Sequence, residues 1–144
     1  MRSKTNIVIL IGMVIFLISL TQDCIYYKYF DEIHYPSYLA FLLGWTYFDG
    51  VRWEGFVWLA NPLYFLGIVL VLKRNYSAVF PIIISSFLAS AFMFFDNITI
   101  TKSGRIAPII ELELGYFLWL SSILFTTIFS IFLKIRQWKT SSTY

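Results

Sequence analysis

The chain has one cysteine, one histidine and four prolines among its 144 residues, and only 13% of it is charged. A single cysteine closes no internal disulfide and builds no paired-thiol redox site, so it leaves the redox compartment open. One histidine excludes zinc motifs built on histidine pairs, and no glycine-rich phosphate loop is found. Charge is scarcest inside the long apolar runs. None of them carries an ionisable residue near its middle, where ion- or proton-coupled transport and conduction place theirs. A small multidrug-type antiporter, which needs a membrane-embedded carboxylate, is excluded on that ground.

What is present is oil: 59% of the residues are hydrophobic and 21% aromatic, against roughly 45–50% apolar in a soluble domain. Four apolar stretches stand out, Ile7–Leu20, Phe56–Leu72, Ala78–Phe95 and Gly115–Leu133. At 1.5 Å per residue the longer three approach the ~30 Å hydrocarbon core. The expectation is an all-α integral membrane protein, residues 1–144 forming one domain with four transmembrane helices at about 5–21, 56–73, 77–95 and 115–134. The first run is short and must recruit Thr5, Asn6 and Thr21 or thin the bilayer to cross. Arg2 and Lys4 before it also fit a signal peptide, but "SLTQDC" offers no small-residue cleavage site and no lipoprotein pattern before Cys24.

Basic residues set the orientation. Arg2, Lys4, Lys73, Arg74, Lys134, Arg136 and Lys139 fall on one side of the expected spans; Lys28, Arg52, Lys102 and Arg105 fall on the other with all eight acids. Both termini are therefore expected in the cytoplasm, and the net charge of +3 reflects orientation and anionic headgroups, with no nucleic acid as partner. On the outer side, Tyr26, Tyr27, Tyr29, Phe30 and Tyr35 read as an interfacial aromatic belt. Ser37 is placed to cap a short interfacial helix over 37–48, too short to span. Residues 97–114 alternate around "TKSG" and suggest a small β-hairpin, with Pro108 confining its second strand to an edge; the competing reading starts the fourth helix near Ile109.

Asn61–Pro62 interrupts the second run. A helix starting at Pro62 would be too short to cross, so Pro62 is expected inside the helix, kinking it and freeing the carbonyl of Trp58. Such a break needs a buried partner for the freed group. Counting depth along each span puts Asn61, Ser90 and Ser121–Ser122 in one polar layer, and Gly67, Ser85–Ser86 and Thr126–Thr127 in a second. Ser86 with Ser90, and Ser122 with Thr126 and Ser130, recur every four residues and share helical faces. The bland reading of these residues is packing. The sharper one is a partner-binding pocket around Trp58, Asn61, Pro62, Ser90, Trp119, Ser121 and Ser122 that takes a lipid or another protein's helix. Glu111 and Glu113 with Asp49, Glu54 and His34 offer the ligands of a metal or acid–base site, but they read as solvated charge, because on a helix the two glutamates point apart and only an extended flap aligns them. No catalytic, metal or cofactor residue is assigned.

"WLANPLYFLG" (58–67), "LGYFLWLSS" (114–122) and the preceding "FLLGW" (41–45) resemble segments of small, uncharacterised four-span bacterial inner-membrane proteins. The resemblance covers the last two-thirds of the chain, rests on aromatic and apolar residues, and implies a bacterial inner-membrane setting with no transferable activity. The expected function is non-enzymatic: an accessory or interaction protein acting by helix–helix or lateral contacts, with membrane lipids, a membrane-protein partner or its own copies as partners. An immunity-type protein against a pore-forming toxin and a lipid or small-solute carrier are the alternatives.

Overall fold

The structure is a computed structural model describing residues 2–50, 52–101 and 103–141, with side chains described over 5–48, 52–75, 77–101 and 103–136. The side chains of Arg2, Lys4, Asp49, Lys102 and Lys139, which entered the charge pattern, lie outside the described set.

The chain runs α1 (Arg2–Ser19), β1 (Asp23–Lys28), β2 (Glu32–Pro36), α2 (Ser37–Leu43), α3 (Trp53–Trp58), α4 (Ala60–Leu72), α5 (Val79–Ala91), β3 (Asn97–Thr99), β4 (Ile106–Leu112) and α6 (Leu114–Ser141), with 3₁₀ turns at Gly44–Gly50, Tyr76–Ala78 and Phe92–Phe94. The strands form one antiparallel sheet in the order β2-β1-β4-β3. This overturns the all-α expectation. The stretch read as an aromatic belt is strand: "DCIYYK" is rich in residues that suit a pleated, half-buried surface, and Cys24, Ile25 and Tyr27 turn into the core.

Four transmembrane helices are likewise not supported. Among the described residues, Trp53–Leu72 (20 residues, mean hydropathy 2.0) and Leu114–Arg136 (23 residues, mean hydropathy 1.9) are long and apolar enough to cross a membrane. The apolar helical stretches Thr5–Ser19 and Val79–Phe94 fall short; at 1.5 Å per residue they reach only about 22–24 Å against the ~30 Å core.

The hairpin over 97–114 is present as β3 and β4, but β4 is a central strand, so Pro108 does not lie on an edge. Its missing N–H explains how this is tolerated. Ile109 donates its N–H toward the β3 side, to Asp96 O at 2.9 Å, so the Pro108 nitrogen faces β1. There the ladder has already ended at the Tyr27–Ile109 pair, one step from the irregularity at Tyr26–Tyr27. The short helix expected over 37–48 is α2 followed by a 3₁₀ turn. Ser37 does not cap it: the N-cap is Pro36, and Ser37 is buried.

Sheet and helices share one core, in which Phe16, Tyr64, Ile82 and Ile123 are fully enclosed. α1 packs along α6, α4 along α5, and α5 along α6. The approach is close where small residues allow it. A Cβ on Gly67 would fall 2.0 Å from Ile82 Cγ1, and one on Gly12 would fall 2.7 Å from Thr126 Oγ1. The second polar layer lies in these seams: Ser85 donates to Ala60 O at 2.7 Å, Ser86 pairs with Thr127, and Tyr64 pairs with Thr126 at 3.1 Å. Ser122, Thr126 and Ser130 are all buried, so the four-residue spacing does define one inward face. Outward, the helices show apolar side chains, among them Leu10, Leu17, Leu66, Phe87, Ile128 and Phe132. The seams between the helices thus hold buried hydroxyls beside an apolar core, and much of the helices' outer surface is apolar as well.

Candidate functional site

The helical stretch carrying Asn61 and Pro62 is interrupted between α3 and α4 at Leu59, which nonetheless keeps helical dihedrals (φ −58°, ψ −17°) and still accepts from Leu63 N at 3.2 Å. Pro62 cannot donate to Trp58 O, the acceptor one turn behind it. Asn61 takes over: its Nδ2 donates to Trp58 O at 3.2 Å, and its Oδ1 accepts from Trp119 Nε1 at 2.9 Å. Trp58 Nε1 in turn donates to Phe41 O at 2.7 Å. Gly44 lets the Trp58 ring lie against α2, because a Cβ there would meet Trp58 Cδ1 at 2.2 Å. A relay of side chains thus links α2, α3, α4 and α6 through two indoles and one amide.

The relay borders an apolar cavity of about 110 Å³ that lies under the sheet, between β1, α2, the start of α6 and the α3–α4 break. Trp58, Asn61 and Trp119 line it, as expected of a pocket around Asn61. The other expected residues do not. Pro62 and Ser121 are exposed on their helices, Ser90 is half-buried on α5, and Ser122 is buried in the seam, its hydroxyl donating to Trp119 O at 2.7 Å. The proposed single layer is therefore incomplete: Asn61 is bonded to Trp119, one turn before Ser122, and not to Ser90.

Sequence reasoning missed the opposite wall, made by Cys24, Tyr35, Ser37, Ala40, Gly44 and Tyr47. Ala40 and Gly44, four apart, were the available signal for a thin wall on α2. Burial pushes the Tyr47 phenol up to about 12. It does the same to the Cys24 thiol, also up to about 12, with the Ser37 hydroxyl only partly offsetting it. Cys24 Sγ donates to Tyr35 O at 3.3 Å. Both groups are neutral at physiological pH, so this wall offers weak hydrogen bonding and no charge.

At the sheet's outer side the structure joins two of the outer titratable residues, His34 and Glu113. His34 Nδ1 lies 2.6 Å from Glu113 Oε1, and Asp23 is beside them. The hydrogen bond to Glu113 holds the imidazole pKa above its ordinary value, burial acting the other way. Glu111 belongs to β4 and is exposed, and Glu54 is engaged elsewhere, its Oε1 accepting from Thr99 N at 2.8 Å.

No family model, curated protein or solved structure matches this chain. The reading of its site therefore rests on its own residues. What they make is an apolar chamber with a polar frame, and the one carboxylate among the described lining residues, Glu54, accepts from Thr99 N at 2.8 Å.

Proposed function

We propose that the chain is a non-enzymatic protein of a bacterial inner membrane that acts by lateral contact, seating the apolar part of a lipid or of a partner's helix in the cavity beside Asn61. In this reading the two helical stretches long enough to cross, Trp53–Leu72 and Leu114–Arg136, sit in lipid and the sheet lies at the outer face. The basic residues Lys73, Arg74, Lys134 and Arg136, at the helix ends remote from the sheet, lie at the cytoplasmic face, as does the chain's N-terminus.

The observation that carries it is the cavity itself: an apolar chamber under the sheet, at the heads of helices whose outer faces are largely apolar. Apolar pockets with a few fixed polar groups are the usual form of a ligand site, and the bonded frame of Trp58, Asn61 and Trp119 keeps this one open. The test fills it. Ala40→Phe places a ring in the chamber from α2. Protein purified in native-lipid nanodiscs is expected to retain a bound lipid or partner by native mass spectrometry, and Ala40→Phe is expected to lose it with an unchanged melting temperature. Equal retention by both proteins, or recovery of the chain in the aqueous fraction after a carbonate wash, sinks the reading.

A further inference from the structure

Asp23 opens β1, His34 lies within β2, and Glu113 stands at the turn from β4 into α6. Three stretches distant in sequence bring together two carboxylates and the chain's one imidazole, with a ligand atom of each within 4.8 Å of the others. The parts are held. The His34 ring stacks on Tyr26 with centroids 4.7 Å apart and planes 11° from parallel. The Glu113 backbone N–H donates to Cys24 O at 3.0 Å, and its carbonyl accepts from Tyr116 N at 3.0 Å.

An ordinary ion pair accounts for only part of this. It satisfies Glu113 Oε1, whereas Oε2 is shut away from solvent without a hydrogen-bond partner. A buried carboxylate oxygen with no donor is among the costliest groups to leave unmet, and in native folds it points to a water or ion. Nearby, Ser37, only 6% exposed, sets its hydroxyl beside the Cys24 thiol. It packs at the same turn, where a Cβ on Gly115 would meet both Ser37 Oγ and Asp23 O.

We propose that Asp23, His34 and Glu113 bind one divalent transition-metal ion. One imidazole nitrogen with two carboxylate oxygens suits zinc, manganese or iron(II) better than magnesium or calcium, which prefer all-oxygen shells. Three protein ligands leave room for water. Bonds of about 2.0–2.2 Å place tetrahedral ligands about 3.3–3.6 Å apart, so the His34 and Glu113 atoms, now 2.6 Å apart, must separate, and the Asp23 carboxylate, within 4.8 Å of both, must draw in, to admit the ion. Cys24 is not a ligand, because its thiol turns inward to Tyr35 O. The ion ties β1 and β2 to the head of α6 and so pins the sheet over the helices.

The full chain in detergent, stripped with EDTA and dialysed, is titrated with zinc chloride by calorimetry and followed by thermal unfolding. The expected result is one zinc ion per chain and a raised melting temperature. His34→Ala, at a side chain 55% exposed, is expected to weaken binding at least tenfold while the metal-free melting temperature stays put, and Asp23→Asn to weaken it similarly. Glu111→Gln, exposed on β4 outside the cluster, is expected to bind as the parent does. Absence of saturable binding in the parent, or equal affinity after His34→Ala, overturns the proposal.

Discussion

The side chain of Asn61 hydrogen-bonds the carbonyl of Trp58, the acceptor that Pro62 deprives of its backbone donor. The amide and the proline are thus one device: the break is made by one residue and repaired by its neighbour. Asn61→Leu leaves both Trp58 O and Trp119 Nε1 without partners, and at about 1–3 kcal/mol per unmet buried group a marked loss of stability is expected. Pro62→Ala restores the missing N–H. The double variant is therefore expected to unfold at a higher temperature than Asn61→Leu alone; additive losses in thermal unfolding would refute the pairing.

Gly67 meets Ile82 with no room for a methyl group, since its Cβ would fall 2.0 Å from Cγ1. Gly67→Ala is expected to destabilise by about 1–3 kcal/mol through overpacking. Adding Ile82→Val does not relieve it, because Cγ1 remains, whereas adding Ile82→Ala does. Denaturant midpoints of the three variants distinguish the two cases.

Ser86 and Thr127 join α5 to α6 through their hydroxyls. Each also donates or can donate within its own helix, Ser86 to Ile82 O at 3.1 Å and Thr127 to Ile123 O at 2.8 Å. A hydroxyl with a local alternative loses little when its distant partner goes. A double-mutant cycle of Ser86→Ala and Thr127→Val is expected to return a coupling of about 0.6 kcal/mol; a value above 2 would mean the pair holds the helices together.

Cys24, 7% exposed, is expected to resist alkylation. With its pKa pushed from 9.0 to about 12 by burial, its thiolate at pH 8 is about a thousandfold scarcer than that of an unfolded thiol. The same shift fixes a sign. The unfolded chain releases this proton first, so its contribution to stability is complete below pH 9 and is lost as pH rises toward 12. Maleimide labelling that is as fast in the folded as in the denatured protein would contradict it.

Helical stretches, the break before Pro62 and the inward face of Ser122, Thr126 and Ser130 could be read from spacing and from the chemistry of proline. The sheet was half legible. β3 and β4 announced themselves by alternation around "TKSG", whereas β1 and β2 did not, because tyrosines at a membrane edge and tyrosines in a strand are the same residues and only pairing tells them apart. Pairing is also what defeated two finer expectations. Pro108 fits a central strand because the β1–β4 ladder ends beside it at Tyr27–Ile109, and Glu113 meets His34 because β4 runs next to β1, facts about distant partners that no local window contains. Counting depth along the spans put Asn61 near Trp58 and Trp119, whereas the wall from α2, on a segment read as lying outside the spans, stayed hidden.

The break at Leu59 divides the anchoring of a single stretch of chain. Above it, Glu54 holds Thr99 N at 2.8 Å and Arg52 Nη1 holds Thr101 O at 2.9 Å, so α3 rides with the hairpin. Below it, Ala60 O and Tyr64 fasten α4 to its neighbouring helices. The two halves of one stretch are therefore tied to different layers of the fold, and Asn61, bonded to Trp58 O and to Trp119 Nε1, stands where the one anchorage gives way to the other.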